Sequence, residues 1–138
     1  MLFLVASCKK DDTTTPAKPK KDILISKTWL MNEALVSGIS VYKKGGTSID
    51  PKYNFAKVRL NFKADGTLTG FDNNGTAISK GTWILSADET KLTISNTGII
   101  GVDGDQTVLQ ITATNFDIKG KVLYQGALVD ATVKAIPE

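Results

Sequence analysis

The sequence predicts an all-β fold: about eight short antiparallel strands in an up-and-down meander that closes into a barrel. Three observations carry this. Residues 56–62 alternate strictly, with Val58, Leu60 and Phe62 on one face and Lys57, Arg59 and Asn61 on the other, the period-2 signature of a strand between core and solvent. Turn chemistry recurs at short intervals in Lys63-Ala-Asp-Gly66, Asp72-Asn-Asn-Gly75 and Ser86-Ala-Asp-Glu89. No stretch sustains a helical period. Closure into a barrel leaves no bare edge strand to template aggregation.

The elements follow in chain order. Residues 1–8, Met-Leu-Phe-Leu-Val-Ala-Ser-Cys, form an apolar end, two small residues and a cysteine. This resembles the lipobox of bacterial lipoproteins, with Val5, Ala6 and Ser7 before Cys8 as the lipid acceptor. Small side chains fit a narrow peptidase site, the thiol takes the diacylglycerol, and several acyl chains make a durable anchor. The apolar stretch is shorter than a secretory signal and lacks its basic start, which points either to a start codon assigned too late or to a trimmed chain. A buried, inert cysteine is the competing reading, and the polar residues that follow it oppose that. Residues 9–22 carry five lysines, two prolines within the run and no apolar period, so an extended, disordered tether is expected. Cys8-Lys-Lys-Asp-Asp12 also resembles the lysine-plus-acidic signal that sends some Bacteroidetes lipoproteins to the cell surface; a plain solvated charge run reads equally well.

The folded domain spans residues 23–138. Lys27 to Val36 reads as the first strand, with Trp29. Ser37 to Asn54 reads as one long irregular segment holding Tyr42 and Tyr53, and a loop of that length is functional or mobile. Residues 56–62 and Thr67 to Phe71 flank the first hairpin turn. Ala77 to Leu85 carries Trp83, Lys91 to Asn96 follows, and Ile99 to Asp105 is a Gly-rich connection. Thr107 to Thr112, Asn115 to Lys119 and Val122 to Val133 complete the set, the last with a break at Gln125-Gly126.

Composition limits the chemistry. With 138 residues, the chain has room for one ordinary domain, and 41% hydrophobic against 22% charged residues is a globular balance. No apolar run approaches the ~20 residues of a membrane helix. The net charge of +3 comes from the first 21 residues; from Asp22 onward 12 basic residues face 12 acidic ones. A nucleic-acid binder would gather basic side chains on its folded part, so none is expected here. There is no His and one Cys, which removes the usual zinc sites and the His-based nucleophilic mechanisms. No enzyme, no cofactor and no metal are expected. Asp103-Gly-Asp105 and Asp72-Asn-Asn-Gly75 space oxygens closely, but neither extends into a full calcium loop.

A wider resemblance rests on Ser26-Lys-Thr-Trp29, Phe62-Lys-Ala-Asp-Gly-Thr-Leu68, Gly81-Thr-Trp-Ile-Leu85 with Asp88, and Lys91-Leu-Thr-Ile94. Together they resemble the small lipocalin-like lipoproteins of Bacteroidetes over roughly residues 24–136, with Lys27 where that family usually has Gly. The resemblance implies an eight-stranded, lipocalin-like calyx and an outer-membrane, cell-envelope location; it implies a ligand only weakly.

The candidate ligand-binding residues are Trp29, Glu33, Tyr42, Tyr53 and Trp83. The two tryptophans can floor an apolar pocket or simply close the barrel end as core. Tyr42 and Tyr53 can form a lid or pin the long loop. Glu33 falls in phase with Trp29, Met31 and Leu35, so strict alternation points it inward, where it would meet a ligand's polar head; a bulge near Asn32 would turn it to solvent. Two functions follow. One is a lipid-anchored monomer holding a small hydrophobic or amphipathic ligand in its cup. The other is a packed surface barrel contacting glycan or an envelope protein through Ser37 to Asn54. A void lined by Val58, Leu60, Phe62, Ile111 and Phe116 would support the first; interdigitation of those side chains would support the second.

Overall fold

The computed structural model describes residues 18–138; the lipobox, Cys8 and most of the expected tether lie outside the described residues. A short helix, α1 (Lys20–Ile25), precedes nine strands: β1 (Thr28–Val36), β2 (Ile39–Lys43), β3 (Arg59–Phe62), β4 (Thr67–Phe71), β5 (Gly81–Leu85), β6 (Lys91–Ser95), β7 (Gly104–Ile111), β8 (Phe116–Tyr124) and β9 (Ala127–Pro137). All pairings are antiparallel between chain neighbours from β3 to β9, and β1 pairs β9 along Trp29 to Val36 to close the ring. The other edge of β1 is divided: β3 takes Thr28–Leu30 and β2 takes Glu33–Val36. The result is a closed barrel of eight strands, β1 and β3 to β9, with β2 as an extra strand.

The fold departs from the sequence expectation in a few places. The segment expected as wholly irregular contains β2, joined to β1 by the Ser37–Gly38 turn, and a 3-10 turn at Pro51–Tyr53. Pro51 supplies the preset φ there, and the Asp50 carboxylate accepts the Lys52 N–H. The strand expected from Ala77 begins only at Gly81, because Asp72–Gly75 makes a wider turn that lets Ala77 bridge back to Phe71. Gln125–Gly126 separates two strands, β8 and β9, both longer than alternation alone suggested. Lys20–Asp22, at the end of the expected tether, belong to α1.

Aspartates at the turns cap backbone N–H groups with a carboxylate oxygen, two residues on at Asp65, Asp72 and Asp88 and five to six residues back at Asp103. Asp65 accepts from the Thr67 N–H and hydroxyl. Asp88 accepts from the Ser86 hydroxyl and from Thr90 N–H and hydroxyl. In the β6–β7 connection, Asp103 accepts from Thr97 and from the Gly98 N–H, and Asp72 likewise accepts from Asn74 and Thr76. The four carboxylates are therefore occupied by turn donors.

Side chains fill the barrel. α1 plugs the end where β1 begins: Leu24 is fully buried and its carbonyl accepts the Trp29 indole N–H at 3.0 Å. At the opposite end the chain between β2 and β3 folds inward, burying Tyr53, Phe55 and Val58, and Ile99 and Val102 enter from the β6–β7 connection. That connection is held by Gln106, whose Nε2 donates to the Val102 carbonyl at 2.9 Å. Gln106 lies flat over Gly120, where an added Cβ would sit 2.8 Å from its Cδ.

Candidate functional site

The five residues singled out from the sequence fall into three separate places. Trp29 and Trp83 belong to one aromatic chain in the half of the barrel that α1 closes. Phe62 stands edge-on between Trp83 (centroids 5.4 Å apart, planes at 89°) and Phe116 (5.5 Å, 87°), and Phe116 meets Trp29 at 5.5 Å. Edge-to-face rings at these spacings are favourable, and both indole N–H groups are satisfied, that of Trp83 by the Lys63 carbonyl. The four side chains pack on one another and are at most 4% exposed, with Trp83 bordering a depression of about 270 Å³ beside Lys21 and Asp65.

Tyr42 and Tyr53 come together around Phe55 at the other end, at 5.7 and 6.4 Å, and Tyr53 also meets Tyr124 at 6.2 Å. Tyr42 lies in β2 and Tyr53 in the 3-10 turn, and both are buried. Desolvation raises both phenol pKa values; for Tyr53, Tyr124 and Asp50 push the same way, while for Tyr42 the Arg59 charge opposes the rise. The Tyr53 hydroxyl has no hydrogen-bond partner among the described residues.

Glu33 joins neither cluster. The β1–β9 register shifts between Met31 and Glu33, so Ala34 and Val36 take the inward positions while Glu33 turns outward beside Lys43 and Lys134. Strict alternation, which pointed Glu33 inward, is corrected by that bulge at Asn32.

Val58, Leu60, Phe62, Ile111 and Phe116 are each at most 4% exposed and belong to one continuous core. The largest open volumes described lie on the outside. One groove of about 430 Å³ runs over the outer face of β3 and β4, bounded by the Asp72–Gly75 turn and by Glu138. A second depression, about 580 Å³, lies over β8, β9 and the Ser37–Gly38 turn, where Lys119 and Lys121 both pair with Asp130.

The first groove has the more distinctive chemistry. Gly70, at φ 133°, brings β4 so close to β3 that any Cβ there would overlap the Arg59 carbonyl oxygen. The cross-strand pair beside it, Arg59 and Phe71, points outward with Asn61 and Thr28. No sequence motif marks this cluster, because its members come from four separated segments.

These features define a class: a closed antiparallel β-barrel with a self-filled interior and polar grooves on its outer wall. Within that class, the chain matches no family model and no curated protein. Among the described residues, no helix is long and apolar enough to cross a membrane, and no three metal-ligating side chains gather.

Proposed function

We propose that the protein is a lipid-anchored envelope protein whose packed barrel serves as an interaction module, binding with its outer surface and not with its interior. The observation that carries this reading is the filled core: a ligand in the cup would have to displace the ring chain Trp29–Phe116–Phe62–Trp83 or the cluster around Phe55. Filling an eight-stranded barrel with its own side chains is a common solution, since its interior is only just wide enough for them. Anchoring rests on Val5-Ala-Ser-Cys8 and the polar stretch after it, and an outer-membrane, cell-surface placement on Lys9–Asp12. The resemblance to lipocalin-like lipoproteins fits this picture, with the calyx occupied by the protein itself.

The anchor is tested by feeding the host an alkyne-tagged fatty acid and reading label on the protein. Labelled protein in the membrane fraction, and unlabelled protein from Cys8→Ser, is the expected pair of results. Unlabelled wild-type protein would defeat the anchoring half. The filled interior is tested separately, by the indole N–H resonances of Trp29 and Trp83 under added lipid.

A further inference from the structure

We propose that the outer groove of β3 and β4 binds an acidic saccharide, a uronic-acid residue whose carboxylate meets Arg59 and Lys57 and whose ring face stacks on Phe71. The proposal rests on the outward-binding reading above and gives it a ligand class. Arg59, the only arginine of the chain, is fixed by three hydrogen bonds: Nε to Glu138 Oε2 at 3.1 Å, and Nη1 to the Ala56 and Val58 carbonyls at 3.2 and 2.9 Å. Nη2 takes no part in them. A guanidinium held this way has already lost its side-chain freedom, and it offers a carboxylate the two N–H bonds of Nη2, beside the Lys57 ammonium.

The other walls narrow the ligand. Of the large apolar side chains left exposed among the described residues, Phe71 is the one aromatic ring, 45% open and directly across the strand pair from Arg59. A single exposed apolar residue is ordinary; one set beside an immobilised cation in a groove of ligand size is not. The Thr28 hydroxyl donates to Asn61 Oδ1, which commits the Asn61 amide to presenting its NH₂ as a donor. Counting side chains alone, Lys57 is the cation of the lining left over once Arg59 pairs with Glu138. A small inorganic anion would make no use of Phe71, and a fatty acid would find one ring and a polar floor. A sugar carboxylate supplies the charge, the hydroxyls for Asn61 and Glu138, and the apolar C–H face for the ring. The groove is open, so single-site affinity is weak, in the millimolar range, and repeated units of an acidic polymer would gain by multivalency.

The test is a titration of the ¹⁵N-labelled full chain with trigalacturonate, with maltotriose and inorganic phosphate as comparison probes. Expected are shifts gathered at the Arg59 Nε–H, the Asn61 amide and the Phe71 backbone, with neither comparison probe reproducing them. Phe71→Ala, an exposed change whose fold the same spectrum checks, should weaken binding about tenfold, as should Lys57→Gln. Maltotriose binding as well as trigalacturonate removes the acid requirement and overturns the proposal. So do phosphate reproducing the shifts, shifts located elsewhere, or Phe71→Ala binding like wild type. None of these outcomes touches the filled-interior reading, which a separate measurement decides.

Discussion

At the residue scale, the barrel depends on a few positions with no spare room. Gly70 is the tightest, since alanine there would need both a left-handed backbone and the space of the Arg59 carbonyl. Gly70→Ala should cost about 3 kcal/mol in denaturant unfolding. The Tyr53 hydroxyl presents the opposite case, a buried donor without a partner. Tyr53→Phe keeps the ring contacts and removes the unpaired group, so stability should hold or rise by up to ~1 kcal/mol in the same assay. Glu33 shows how single residues mislead a sequence reading: a period-2 pattern places a side chain only as long as the ladder has no inserted residue, and the bulge at Asn32 inserts one.

At the scale of elements, hairpins were the legible part. β3, its Asp–Gly turn and β4 stand in the sequence because one face is core, the other solvent, and the turn needs residues that cap or tolerate positive φ. β2 was hidden: Val41 and Tyr42 are buried consecutively, so no alternation marks it. α1 is six residues long and opens with Lys20 and Lys21, too short for a helical period to register. Two pH effects belong here. The carboxylates of Asp65, Asp88 and Asp130 are held below their ordinary range, that of Asp88 at about 2, by hydrogen bonds in the turns and by Lys121 and Lys119 at Asp130. Their contribution is present above the ordinary carboxylate pKa and is lost as pH falls through the folded values, so thermal unfolding should come earlier from pH 4 toward 2. The phenols behave oppositely. Burial raises Tyr42 and Tyr53 above the ordinary value of 10.0, so stability is intact below it and falls as pH climbs through the raised values. A pH series of melting temperatures should decline at both extremes, and Tyr42→Phe should soften the alkaline decline.

At the scale of the whole molecule, closure, filling and display are linked. The all-β barrel followed from strand count and short connections, but its filling did not, because alternation says which side chains face inward and not whether they meet. Contact depends on barrel radius and on the segments that enter from each end, α1 and the chain around Tyr53 and Phe55, and neither carried a recognisable period. The outer groove was equally out of reach, since Thr28, Lys57, Phe71 and Glu138 become neighbours only through strand register. Phe62→Ala removes the ring that joins the two tryptophan contacts and should cost about 3–5 kcal/mol, read by denaturant unfolding, a penalty expected of core and not of a cup lining.

The interior belongs to the protein itself, and the two tryptophans, the only ones in the chain, report on it directly. The measurement is the pair of indole N–H resonances of Trp29 and Trp83 in the full-length protein, followed while mixed fatty acids and a lipid extract of the host are added. Both indoles are buried and bonded to backbone carbonyls, so neither resonance should move. A saturable shift of both, showing a ligand seated among Trp29, Phe62, Trp83 and Phe116, would contradict it and return the barrel to the role of a binding cup.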